Sequence, residues 1–129
     1  MNRPEQALQI SVANFLRAAL PPDWRWIHVP NGMQAGGRKA MLHAIRSRAM
    51  GEAKGFPDGI VLGPWREALF IELKAPKGRV SPEQAAVHTW LTRCGFVVEV
   101  CRSLEDVERF LLENQIPLRA RIGEQRRAA

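Results

Sequence analysis

Asp58, Glu72 and Lys74 are the residues of this chain whose types and spacing could do chemistry. Glu72 and Lys74 stand two apart, at the end of the apolar run Ala68-Leu69-Phe70-Ile71. Asp58 opens a second apolar run, Ile60-Val61-Leu62. Side chains alternate along a strand, so Glu72 and Lys74 project from one face and Leu73 from the other. An acid and an ammonium at the end of a buried strand are costly to desolvate. Pairing them with each other, or with a metal and a substrate, offsets that cost. An ordinary amphipathic hairpin ending in a surface Glu/Lys pair is the competing reading.

The elements that must position these residues follow from pattern and punctuation. Two short apolar runs around Gly63-Pro64 predict a β-hairpin. Pro4 to Leu20 reads as a helix, with Leu8, Val12, Phe15, Leu16 and Ala19 on one stripe. Glu5 falls on that inward stripe, where it suits the helix dipole or could reach the hairpin's acidic end. Gln9 follows one turn later. Pro21-Pro22-Asp23 stops the helix, and Trp24 to Val29 reads as a strand that ends at Pro30-Asn31-Gly32. His28 on that strand fits a core-edge histidine bonded to backbone better than a catalytic one.

Gly32 to Gly55 is the least readable segment. Ala40, Met41, Ile45 and Ala49 could form one side of a short helix, with Arg38, Lys39, Arg46 and Arg48 around it. Such a basic element could track a phosphate backbone or merely cover the sheet. Beyond the hairpin, Pro76-Lys77-Gly78-Arg79 is a basic loop. Ser81-Pro82-Glu83-Gln84 then starts a helix with Ser at the N-cap, Pro at N1 and Gln at N3. Val87, Trp90, Leu91 and Cys94 supply its apolar side, and Gly95 ends it. Gln84 is either a capping-box partner of Ser81 or an amide for the site. His88, one turn on, reads as a partly exposed helix residue. Phe96 to Cys101 is a strand apolar enough to be largely buried. Ser103 caps a last helix with Leu104, Val107, Phe110 and Leu111 inward.

The 129 residues make one domain of ordinary size, 1–114, followed by a basic tail, 115–129. Net charge is +6 and arginine far outnumbers lysine, a balance that suits a polyanionic partner. Cys94 and Cys101 are the only cysteines and belong to no CxxC pair, which argues for buried thiols and against zinc. The opening residues lack the apolar stretch of a signal peptide, and no run approaches membrane-spanning length. The expected location is the cytoplasm of a bacterium or of a phage-infected host.

Pro57-Asp58 and Glu72-Leu73-Lys74 resemble the PD-(D/E)xK nuclease signature. Phosphodiester hydrolysis of that kind uses a hard divalent cation held by carboxylates, with a backbone carbonyl such as that of Leu73. The cation polarises the phosphate and acidifies water. The lysine opposes phosphate charge. The order of elements fits the restriction-endonuclease-like α/β core, α-β-β-β-α-β, a mixed sheet flanked by helices, with a C-terminal helix added. The fuller pattern resembles the VRR-NUC family, the virus-type replication-repair nuclease domain. It comprises Glu5 with Gln9, Val29 to Gly32, Gly55-Phe56-Pro57-Asp58, Phe70 to Lys74, Gly78 to Gln84, and the run from Gly95.

The resemblance implies Mg²⁺ or Mn²⁺ held by Glu5, Asp58, Glu72 and the Leu73 carbonyl, with Lys74 as the catalytic lysine and Gln84 as the helix glutamine. His88 stands where PD-(D/E)xK relatives often carry tyrosine, one turn after the helix glutamine. The size resembles that of stand-alone phage or bacterial types and of Holliday-junction resolvases, which implies a homodimer. The expected activity is metal-dependent cutting of DNA, branched or supercoiled, in replication, recombination or repair. Arg38, Lys39, Lys77 and Arg79 are the candidate DNA contacts. The rival is a catalytically silent DNA-binding scaffold on the same fold. A sequence-specific restriction enzyme is disfavoured, since no base-reading module is evident.

Overall fold

A computed structural model describes residues 3–30, 37–51 and 53–124. Of the sequence expectations, the turn residues Asn31 and Gly32, positions 33–36 of the basic segment and the tail beyond 124 lie outside the described residues.

Helix α1 (Arg3–Ala19) buries Gln9, Val12, Leu16 and Ala19, so the stripe expected from its spacing is present. Strand β1 (Arg25–His28) leads to helix α2 (Arg38–Ala49). The hairpin is β2 (Gly59–Leu62) and β3 (Ala68–Leu73). Helix α3 (Pro82–Arg93), strand β4 (Val97–Cys101) and helix α4 (Leu104–Glu113) complete the order. The sheet runs β1-β2-β3-β4. The first three strands are antiparallel, and β4 lies parallel to β3 after the α3 crossover. This is the mixed α/β architecture expected from the sequence.

The pleat sorts the side chains. Val61, Leu69, Ile71, Leu73 and Cys101 face α1 and α4 and join Val12, Leu16, Val107, Phe110 and Leu111 in one core. Phe70 and Glu72 therefore point to the other face. Phe70 packs edge-on between Phe56 and Phe96, at centroid distances of 5.8 and 5.3 Å. Helix α3 covers the end of that face where Glu72 lies.

Several local expectations change. Cys94 is exposed at the end of α3, whereas Cys101 is buried. Burial pushes the Cys101 thiol up to about 12. Trp90 is exposed too, because α3 meets the sheet along Gln84, Val87, His88 and Leu91 instead. Strand β4 is only partly covered: it is an edge strand, and Val97 and Glu99 are exposed. Helix α2 buries only Ser47 and leaves Met41, Leu42 and Ile45 exposed. Past α4, Ile116 is buried, the Arg119 amide donates to the Ala19 carbonyl, and Arg121 pairs with Glu108 at 3.1 Å. The chain thus stays on the domain through Ile122, whose amide also donates to Glu108.

Candidate active site

The hairpin brings Asp58 and Glu72 together because Gly59 pairs with Ile71 in the antiparallel register. Asp58 precedes the first β2 residue, and Glu72 follows Ile71, so both lie at the same end of the sheet. Their side chains share a face with Lys74. All three are buried: Asp58 is 5% exposed, Glu72 2% and Lys74 9%. The solvated Glu/Lys pair of an ordinary surface hairpin is therefore ruled out.

Each acid is held by named partners. The Leu73 amide donates to Asp58 Oδ2 at 2.6 Å, which ties the start of β2 to the end of β3. The Asp58 carbonyl accepts from the Val29 amide at 2.8 Å. It also accepts from His28 Nδ1 at 3.0 Å, which puts the ring proton on that nitrogen. His28 thus takes the backbone-bonded place expected of it. Gln84 Nε2 donates to Glu72 Oε2 at 3.4 Å, and His88 Nε2 lies 3.3 Å from Glu72 Oε1.

Gln84 makes the capping box expected of it and also reaches Glu72. Its Oε1 accepts from the Ser81 amide at 2.9 Å and its own amide donates to Ser81 Oγ at 3.1 Å, a complete capping box. The cap fixes the side chain so that Nε2 points at Glu72. Gly55, with φ +86°, lets the chain before Asp58 pass against this same turn. A β-carbon there would lie 2.7 Å from the Glu83 carbonyl group.

Electrostatics follow from burial. Burial first, then Asp58 beside it, raises the Glu72 carboxyl to about 9, with Lys74 pulling the other way and Glu5 adding to the rise. Burial and the Lys74 charge push His88 down. The His88–Glu72 contact is therefore a hydrogen bond between neutral groups and not an ion pair. A proton on Glu72 lets two crowded acids hydrogen-bond where they would otherwise repel.

Glu5 approaches this cluster from α1. Its carboxylate lies against Gly78, where a β-carbon would be 3.0 Å from Oε1, and its charge is felt at Glu72. Gln9, one turn along, is buried with its Oε1 unpartnered. Lys77 and Arg79 flank Gly78 and are exposed. Arg38 and Lys39 are exposed on the first turn of α2. His88 and Gln9 are the residues whose place the sequence reading understated. Their one-turn spacing from Gln84 and Glu5 was the available signal.

Among the described residues no three His, Cys, Asp or Glu side chains stand together as metal ligands. The Leu73 amide occupies one Asp58 oxygen, and α3 residues engage both Glu72 oxygens. The chemistry of the donors nonetheless fits a hard cation: they are carboxylates, crowded and buried, whose repulsion a divalent charge would relieve.

Comparisons with known proteins agree with the fold. The family model of the VRR-NUC domain matches residues 25–105. A solved structure described as a VRR_NUC domain protein superposes with a TM-score of 0.65 at 20% identity, covering 88% of each chain. Another, described as a VRR_NUC domain, gives 0.57 at 20% identity, covering 87% of this chain and 97% of the other. No curated protein matches the sequence. With its matched segment spanning β1 to the start of α4, including Asp58, Glu72, Lys74 and Gln84, this chain belongs to the VRR-NUC domain family.

Proposed function

We propose that this nuclease-fold protein is a divalent-metal-dependent DNA endonuclease that nicks DNA or cuts branched structures. The observation that carries the reading is the burial of Asp58, Glu72 and Lys74 on one face at one end of the sheet. Proteins seldom bury two acids and a lysine so close together without a task for them.

Asp58, Glu72 and the Leu73 carbonyl would hold Mg²⁺ or Mn²⁺, with Glu5 approaching from α1. When bound, the cation supplies Lewis acidity toward the phosphate and toward water. The chain's own residues do the rest. Lys74 opposes the charge that develops on the phosphate. Gln84 and His88 orient the Glu72 carboxylate. Lys77 and Arg79, on the loop beside Glu5, and Arg38 and Lys39 on α2 contact DNA phosphates. Two copies related by a twofold axis would present two such sites to a junction. The exposed Met41, Leu42 and Ile45 support α2 as the surface they bury.

A second reading is a silent DNA-binding scaffold. The engagement of Asp58 and Glu72 by protein partners favours it. The buried Lys74 beside them speaks for catalysis. A cleavage assay on supercoiled plasmid, linear duplex, flap and four-way junction, with and without Mg²⁺ or Mn²⁺, separates the two. Metal-dependent cutting supports the nuclease; binding without cutting under every condition supports the scaffold.

A further inference from the structure

The β2–β3 turn breaks the usual rule for hairpins. Its central residues are Trp65 at φ +63° and Arg66 at φ +67°, and the Glu67 amide donates to the Pro64 carbonyl at 3.4 Å. Two positive φ angles in succession are the signature of a type I′ turn, which strongly favours Asn-Gly. Bulky side chains are strained there. The turn is nevertheless braced. The Gly63 amide donates to the Glu67 carbonyl at 3.0 Å, and the buried Trp24 indole lies so close under Gly63 that a β-carbon would sit 2.3 Å from it. Trp65 itself is 91% exposed and contributes nothing to the core.

The braced, strained turn holds an indole and a guanidinium in water, where a ligand outside the domain can reach them. The indole offers a flat apolar face, and Arg66 offers a cation that pairs with phosphate and stacks on rings. Arg25, across from Leu62 in the sheet register, adds a second exposed cation at this end. Asp23 and Glu67 are exposed nearby and narrow the choice: a bare anion would find mixed charge, whereas a nucleotide offers a base to Trp65 and a phosphate to Arg66.

We propose that Trp65 and Arg66 form a nucleobase-stacking site that engages an unstacked base, as found at a branch point or in a single-stranded arm. Bases inside a matched duplex have no free face for an indole; unpaired ones do. The turn is about 20 Å along the hairpin from Asp58, at ~3.3 Å per residue. That separation spans about six nucleotides at ~3.4 Å per base step along one strand. The site would thus select DNA by shape, holding a branch at a fixed offset from the acidic cluster. The inference rests on DNA being the substrate and adds the feature that makes it structure-selective.

The test measures binding in EDTA, where no cutting interferes, by fluorescence anisotropy of a labelled fork with two single-stranded arms and of a matched duplex. Wild type, Trp65→Ala, Trp65→Phe and Trp65→Gly are compared. Trp65→Ala should weaken fork binding about tenfold, the scale of one lost base stack, and leave duplex binding nearly unchanged. Trp65→Phe should retain most of the affinity. Trp65→Gly should bind the fork as poorly as Trp65→Ala yet melt at a higher temperature, since glycine accepts the positive φ. Unchanged fork binding by Trp65→Ala, an equal loss on both DNAs, or a change in molecular mass by light scattering would overturn the proposal; the last would assign the turn to a protein contact. Failure of the stacking site alone leaves wild type binding DNA, whereas failure of the nucleic-acid reading leaves it binding neither DNA.

Discussion

The Asp58 carboxylate accepts from the backbone amide of Leu73 at 2.6 Å, so an acid proposed for the chemistry also holds the hairpin together. Removing it therefore costs stability. Asp58→Ala leaves the buried Leu73 amide without an acceptor, a loss of about 1–3 kcal/mol in stability. Asp58→Asn keeps an oxygen in place and should lie close to wild type. Urea denaturation of the three proteins measures the difference; equal midpoints for Asp58→Ala and wild type would contradict the assigned bond.

Glu72 makes stability depend on pH. Its carboxyl sits at about 9 in the folded protein, against 4.5 ordinarily, so the folded chain keeps a proton that the unfolded chain releases. That contribution is complete below pH 4.5 and is lost as pH rises toward 9. His88 titrates in the opposite sense, but only below its ordinary 6.5, because burial pushes it down. Between pH 7 and 8.5, in EDTA, wild type should lose stability with a slope of at most about 1.4 kcal/mol per pH unit. Glu72→Gln should flatten that slope. Identical slopes by thermal melting would show that Glu72 is ionised in the metal-free protein.

Gln84 caps α3 and donates to Glu72 at once, and the two contacts separate by substitution. Gln84→Ala loses the side-chain half of the capping box, at a cost within about 0.5–2 kcal/mol, together with the Nε2 donor to Glu72. Gln84→Glu keeps an oxygen for the Ser81 amide but replaces the donor with a second acid facing Glu72. It should therefore stay more stable than Gln84→Ala yet cut DNA more slowly than wild type. Wild-type cutting by Gln84→Glu would reduce Gln84 to a helix cap.

Helix α2 offers Met41, Leu42 and Ile45 to solvent while its small residues, Ala40 and Ser47, turn inward. If two copies meet there, Ile45→Asp should convert a dimer to a monomer at micromolar concentration in light scattering. A wild-type monomer, or a dimer unaffected by Ile45→Asp, would remove α2 from the interface.

Element order was legible because it rests on strong local signals. The Ser81-Pro82-Gln84 start of α3 and the apolar spacing of α1 each survive in the structure. The inward face of α3 was not legible, for a physical reason. A helix that covers buried carboxylates presents polar groups inward, so Gln84 and His88 took the place that hydrophobicity gave to Trp90 and Cys94. The turn falls where Gly63-Pro64 signals it, but its strained positions, Trp65 and Arg66, carry no residue type that favours positive φ. Sequence rules read what stabilises a fold, and they fail where a residue is kept at the expense of stability.

The most direct measurement is cleavage of supercoiled plasmid and a four-way junction by wild type and Asp58→Asn, each with Mg²⁺, with Mn²⁺ and with EDTA. Wild type should cut with either metal and not with EDTA. Asp58→Asn, folded and still binding DNA, should lose at least a hundredfold in rate, about 2.7 kcal/mol of barrier. Equal cutting by both proteins, or cutting that persists in EDTA, would rule out metal-dependent catalysis at Asp58.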